Sequence, residues 1–221
     1  MKVAVIGASG KTGTKLVRES LERGYQVVAV CRDSSVENLD EFCNRDGFTV
    51  MTAPVVSDEP MLTRALAGCD AVVAVLITVR RLKATELVTS LAKATAANAV
   101  KRLVFTAGEV TAVSEEGEAY NLRQRLMLAV IPPITWFTPY SVTDMRKASV
   151  LVSRQSDWEW TIVRAPVLRE TPPVGYRFCK ISEVTPADAL SREDYAACLL
   201  DCLEKPGHHR RTLTVVPADR T

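Results

Sequence analysis

Val3-Ala4-Val5-Ile6-Gly7-Ala8-Ser9-Gly10-Lys11-Thr12-Gly13 stands at the start of the chain, and its reading decides the fold. A short, wholly apolar run followed at once by closely spaced glycines is a buried parallel strand turning into a helix. Each glycine has its own task. Gly7 lets the chain turn off the strand, Gly10 leaves room for a phosphate to approach the backbone, and Gly13 lets the helix lie close to the sheet. The first helical turn then presents free N–H groups and a positive dipole end to an anion. The spacing G-x-x-G-x-x-G, within a unit of about 30 residues, points to the diphosphate of a dinucleotide. Gly10-Lys11-Thr12 resembles the end of a nucleoside-triphosphate loop, but that motif needs a glycine five residues before Gly10, where Val5 stands.

The apolar run Val27–Arg32 supplies the second strand, after a helix from Thr14 to Gly24 whose Leu16, Val17, Ser20 and Leu21 form one stripe. A carboxylate at the end of this strand would select NAD by bonding the adenine ribose. Aligned on Gly24-Tyr25-Gln26-Val27, that position is Cys31, followed by Arg32, Asp33, Ser34 and Ser35. A guanidinium with two hydroxyls suits a 2′-phosphate, so the reading is NADP(H) in preference to NAD(H). Were the strand one or two residues longer, Asp33 would instead serve the ribose of NAD.

Further strands are expected at Phe48–Thr52, Ala71–Ile77, Arg102–Ala107, Glu159–Arg164 and Arg211–Val216. Residues 35–45 read as a short polar helix or loop. Helices are expected at 58–67 (capped by Ser57 or Asp58), 83–98 (Leu87, Val88, Leu91, Ala92 and Ala96 on one face), 143–155 and 192–204 (capped by Ser191). The alternation gives an α/β fold of Rossmann type, a doubly wound parallel sheet in a single domain over 1–221. Residues 1–108 form the cofactor-binding half and 109–221 the substrate-side half, whose irregular stretches make the substrate mouth. Residues 109–139, with Pro132-Pro133 and Pro139, read as irregular, and 167–190 as loop with one short hairpin.

With 221 residues, 47% apolar and 24% charged, the composition is that of a soluble globular chain. A net charge of +2 gives no reason to expect nucleic acid or membrane as a partner. No leader is expected, since Met1 runs straight into the first strand, and the reading is cytoplasmic. The cysteines at 31, 43, 69, 179, 198 and 202 lack a C-x-x-C pair and read as buried free thiols. No metal site is expected: His208-His209 reads as a solvated turn. Alternation sets Trp158 and Trp160 on one face, against the core.

The glycine turn, Val30-Cys31-Arg32-Asp33, Trp160-Thr161-Ile162-Val163-Arg164-Ala165-Pro166 and Leu190-Ser191-Arg192-Glu193-Asp194-Tyr195-Ala196 together resemble the atypical short-chain dehydrogenase/reductases, in particular the NAD(P)H-binding, NmrA-like proteins and the biliverdin reductase B/flavin reductase type. The resemblance implies a cofactor site in which Gly7, Ser9, Gly10, Lys11, Thr12 and Gly13 hold the diphosphate, and Arg32, Ser34 and Ser35 the 2′-phosphate. It places Leu76 and Ile77 under the adenosine and ribose, and Arg80 near phosphate. Thr106 and Ala107 flank the nicotinamide and Pro166 closes over it. The chain departs from the family in two places. Ala53-Pro54-Val55-Val56 replaces a Gly-Asp pair whose Asp touches adenine. The Tyr-x-x-x-Lys pair of the main branch is missing: Lys147 follows Thr143, Tyr140 lies about 10 Å away along a helix, and Tyr120 is followed by Gln124.

Without that acid, a flavin-, quinone- or bilin-like conjugated acceptor, which spreads charge and takes its proton from solvent, fits better than a simple ketone. Thr106 is the candidate catalytic residue. The expected activity is therefore an NAD(P)H-dependent reductase working as a monomer or weak homodimer on such a small molecule. A non-catalytic NADP(H) sensor of NmrA type is the alternative.

Overall fold

The computed structural model describes residues 1–76, 83–111, 118–135 and 142–219. The strands are β1 (Lys2–Ile6), β2 (Gln26–Arg32), β3 (Phe48–Ala53), β4 (Ala71–Ala74), β5 (Arg102–Gly108), β6 (Glu159–Ala165), β7 (Val167–Arg169), β8 (Tyr176–Cys179), β9 (Ala189–Ser191) and β10 (Arg211–Pro217). The helices are α1 (Lys11–Glu22), α2 (Glu59–Ala65), α3 (Ala84–Asn98), α4 (Leu122–Thr135), α5 (Val142–Ser153) and α6 (Arg192–Glu204). Eight strands form one sheet in the order β3-β2-β1-β4-β5-β6-β10-β8, parallel except for β8, which runs against β10. The chain winds outward from β1 in both directions, so the crevice between the carboxyl ends of β1 and β4 is the switch point where such sheets bind ligands.

Strand alternation divides the core in two. Ala4, Ile6, Val28, Val30, Phe105 and Ile162 face α2, α3 and α5. Val3, Val5, Ala29, Cys31, Val104 and Val163 face α1 and α6. Leu16, Leu62, Leu87 and Leu91 are wholly buried, and each contributes roughly 1.5–3 kcal/mol relative to exposure. Trp158 and Trp160 both pack into the first cluster, as alternation requires, and the Trp158 indole donates to Thr95 Oγ1 at 2.9 Å.

Polar ties fix where the helices end. Asp144 on α5 accepts from Ala84 N and Thr85 Oγ1, both at 2.6 Å, capping α3 from another element. Asp58 caps α2 through Met61 N at 2.7 Å, settling the choice between Ser57 and Asp58. Arg102, buried at the start of β5, donates to Leu203 O at 3.1 Å, Thr161 Oγ1 at 2.8 Å, and the carbonyls of Cys202 and Glu159. It thus satisfies the open carboxyl end of α6. Burial holds its pKa down, to about 10.

Several sequence expectations are corrected. Helix α1 begins at Lys11, not Thr14, because Gly10 is already its N-cap. β4 ends at Ala74, short of Ile77, although Val75 N still donates to Ile6 O at 2.9 Å. The buried stripe of α3 is Ala84, Leu87, Val88, Leu91, Ala94 and Thr95, so Ala96 faces solvent. Residues 122–135, expected to be irregular, form α4. The expected hairpin is replaced by two long-range pairings, β7 with β9 in parallel and β8 with β10. All six cysteines are free, but Cys43 is exposed and Cys179 half-buried.

Replacing Arg102 by Ala strips these acceptors of their donor inside the core. The expected loss of stability, on the order of 3 kcal/mol, is measurable as a shift in the urea midpoint at unchanged m-value.

Candidate functional site

The turn after β1 is built on backbone contact. Gly7 has φ +81°, and a Cβ there would lie 2.1 Å from Val75 O. The amides of Gly7 and Ala8 both donate to Val30 O, at 2.9 and 3.1 Å. At Gly13 a Cβ would lie 2.2 Å from Gly7 O and 2.6 Å from Ala8 O. Gly13 therefore seats the helix on the carbonyls of the turn itself, a closer neighbour than the sheet. Gly10 is freer: the nearest atom to its Cβ position is Gly7 O at 3.3 Å.

Thr14 N is the first amide to close onto the helix, at 2.9 Å from Gly10 O. The amides of Lys11, Thr12 and Gly13 ahead of it have no acceptor among the described residues. Gly10 offers no capping side chain, and no acidic residue stands in the first turn. This is an anion seat, with donors and dipole pointing the same way. The 3₁₀ segment Asp33–Phe42 braces it: Ser9 and Ser35 share a hydroxyl hydrogen bond of 2.8 Å, and Asn38 Nδ2 donates to Ser9 O at 3.1 Å.

The seat opens into a cleft of about 270 Å³. Gly7, Ser9, Gly10, Lys11, Thr12 and Gly13 line it, as expected, and so do Arg32 and Leu76. β2 ends at Arg32, which places the guanidinium at the strand's end and starts the 3₁₀ turn with Asp33. Of the two expected partners of Arg32, Ser34 is exposed and Ser35 is turned to Ser9 and to Arg32 O. Neither belongs to the cleft wall. Cys31, Val56, Val75 and Arg192 complete the wall. Val56 stands in the departure Ala53-Pro54-Val55-Val56 and turns a missing polar contact into an apolar surface. Burial pushes the Cys31 thiol up, keeping that wall uncharged.

Thr106 is buried, and its hydroxyl accepts from Leu76 N at 3.2 Å, which ties β5 to the chain leaving β4. Ala107 is buried in the core and Pro166 is half-buried just before β7. Ile77, Arg80 and Tyr140 lie outside the described residues. Thr143 and Lys147 are exposed on α5. Tyr120 packs against the small cluster of Ile181, Val184 and Val216, while Gln124 donates to Glu109 Oε1 and Ile181 O at 2.8 and 2.7 Å. Among the described residues no three His, Cys, Asp or Glu could hold a metal ion. His208 stacks edge-on to Phe178 at 5.2 Å, and burial lowers its pKa. No helix among the described residues is long and apolar enough to cross a membrane.

Sequence reasoning missed Arg192 as a cleft residue. Ser191-Arg192-Glu193-Asp194 reads locally as a helix cap, which it is: Asp194 N donates to Ser191 Oγ at 2.9 Å. Nothing local tells that this cap lies beside α1.

The profile of a family described as NAD(P)H-binding matches residues 7–206. The chain is 26% identical to the fatty acid hydroxylase uhd1 of Mycosarcoma maydis over 91% of its own length and 68% of that protein's. It is also 26% identical to the oxidoreductase stcQ of Emericella nidulans, over 98% and 83% of the two lengths. A short-chain dehydrogenase/reductase (wide type) from Veillonella parvula, solved in complex with NADP, superposes with a TM-score of 0.78 at 18% identity, over 99% of this chain and 95% of that one. At that identity the likeness speaks for the fold.

The glycines separate folding from binding. Gly13→Ala forces a backbone clash, with an expected cost of roughly 3 kcal/mol. Gly10→Ala costs about 1 kcal/mol as a poorer cap. It should nonetheless weaken dinucleotide binding by about tenfold or more, because the methyl stands where the anion approaches. Urea unfolding and a fluorescence titration read the two effects separately.

Proposed function

Since this chain belongs to the NAD(P)H-binding family, which bears out the resemblance to the atypical short-chain dehydrogenase/reductases, we propose that it is an NADPH-dependent reductase of a planar, conjugated acceptor of flavin, quinone or bilin type. The observation that carries this reading is Arg32 on the wall of a cleft floored by three open amides. The guanidinium binds the 2′-phosphate through parallel N–H donors, and no carboxylate pairs with it among the described residues to compete. Asp33, one residue on, is exposed at the start of the 3₁₀ turn, off the cleft wall. Val56 and Leu76 give the adenosine apolar surfaces, and the first turn of α1 takes the diphosphate. Relatives named oxidoreductase and a structural neighbour holding NADP support the same assignment.

Bound at this cleft, the cofactor supplies a hydride from its reduced nicotinamide. The chain's own part is alignment. Thr106 fixes the backbone at Leu76 through its hydroxyl, and so acts by positioning. Ala165-Pro166, at the carboxyl end of β6, borders the place where the acceptor stacks. An acceptor that delocalises its charge needs no positioned phenol–ammonium pair, and none stands among the described residues. Its proton comes from solvent.

Titration with NADPH and NADH should show a preference for NADPH. Arg32→Ala should lower NADPH affinity by about 10- to 100-fold and leave NADH affinity within about twofold, as for one charged phosphate contact. An unchanged ratio would overturn the assignment of Arg32. NADPH bound tightly but not oxidised across a panel of flavins, quinones and bilins would replace the reductase by a non-catalytic sensor.

A further inference from the structure

Arg32 is not the sole arginine on the cleft wall. Arg192, the first residue of α6, lines the same cleft as Gly10, Lys11 and Thr12. Its neighbour Glu193 bonds Lys15 on α1 at 2.8 Å, so the start of α6 stands beside the first turns of α1. The two arginines flank the glycine turn from different sides. Arg32 ends β2, on one side of β1, whereas α6 packs over β4, β5 and β6 on the other.

The Arg192 side chain is held at one end. Its Nε donates to Glu170 Oε1 at 2.7 Å, and only 16% of the side chain is exposed. Among the described residues, neither terminal nitrogen has an acceptor. A guanidinium tied at Nε presents its two terminal nitrogens as a fork, the geometry that grips a phosphate with parallel bonds.

The fold spends a dedicated piece of structure on this arrangement. The pair β7 and β9 stands apart from the main sheet, with Arg169 opposite Ser191, so Glu170 and Arg192 leave neighbouring strand ends side by side. Asp194 locks the assembly. Its carboxylate accepts from Ser191 Oγ at 2.8 Å and from the amides of Val174 and Gly175 at 2.9 and 3.0 Å. The strand pair begins directly after Pro166, so it links the acceptor side of the cleft to the anion seat.

We propose that Arg192, oriented by Glu170, is a second phosphate contact of the dinucleotide and closes on the diphosphate from the side opposite the adenosine. This rests on the assignment of the cleft to NAD(P)H. Two negative charges on the diphosphate then meet Lys11, Arg192 and the helix N-terminus, while the 2′-phosphate is left to Arg32.

Three probes separate these contacts: NADPH, NADH and 2′,5′-ADP, which carries the 2′-phosphate and the adenosine-side 5′-phosphate but lacks the nicotinamide-side phosphate. Arg192→Ala should weaken NADPH and NADH by the same factor, about tenfold or more, and leave 2′,5′-ADP within about twofold of wild type. Arg32→Ala should give the reverse pattern, weakening NADPH and 2′,5′-ADP and sparing NADH. Arg192→Lys keeps the charge and guards against misfolding, and should recover only part of the affinity because it lacks the fork. Glu170→Gln should weaken both dinucleotides by a few-fold, at an unchanged melting temperature. Arg192→Ala with wild-type affinity for both dinucleotides overturns this inference alone, as does equal weakening of all three probes. A wild-type protein that binds neither dinucleotide overturns the cleft assignment as well.

Discussion

The structure depends on one backbone-to-backbone contact, the seating of the first turn of α1 on the carbonyls of Gly7 and Ala8. With no side chain at position 13, the helix comes close enough for its open amides to border the crevice above β1. That contact aims the helix dipole at the switch point of the sheet. It also leaves Lys11, Thr12 and Gly13 amides without internal partners, a cost that an anion offsets. A Cβ at position 13 would push the helix away and remove the seat with it, and one at position 7 would strike Val75 O in the segment after β4.

Around that contact the cleft is assembled from residues distant in the chain. Arg32 comes from the end of β2, Val56 from the segment after β3, Leu76 from the segment after β4, and Arg192 from the start of α6. Buried polar groups hold these pieces in place. Arg102 secures one end of α6 and Asp194 the other, so the helix can be set against α1 along its length. Ser35 and Asn38 pin the glycine turn to the chain that follows Arg32. Several elements thus determine the site together.

The division of charge follows the same geometry. Neutral groups, the Cys31 thiol and the side chains of Val56 and Leu76, share the cleft wall with the cationic Lys11, Arg32 and Arg192. Thr106 accepts from Leu76 N and so lends order to the strand ends. An acceptor that needs alignment alone suits this arrangement.

Much of this was legible in the residues themselves. The glycine spacing, the apolar runs and the periodicity of the helices fix strand and helix order, because those signals act within about 30 residues. Arg32 and the turn Gly7–Gly13 were readable for the same reason: strand end and turn are local. Arg192 was not, since its sequence reads as a helix cap and only the packing of α6 on α1 makes it a wall of the cleft. The pairings of β7 with β9 and of β8 with β10 likewise escape local reading, because each strand is short and finds its partner across roughly 20 or more residues, where loop closure and register decide and no pattern in the strand records the choice. The sequence by itself thus determined the layered sheet and the anion seat. Tertiary structure decided which distant side chains surround that seat, because proximity in a folded chain is set by packing and not by separation along it.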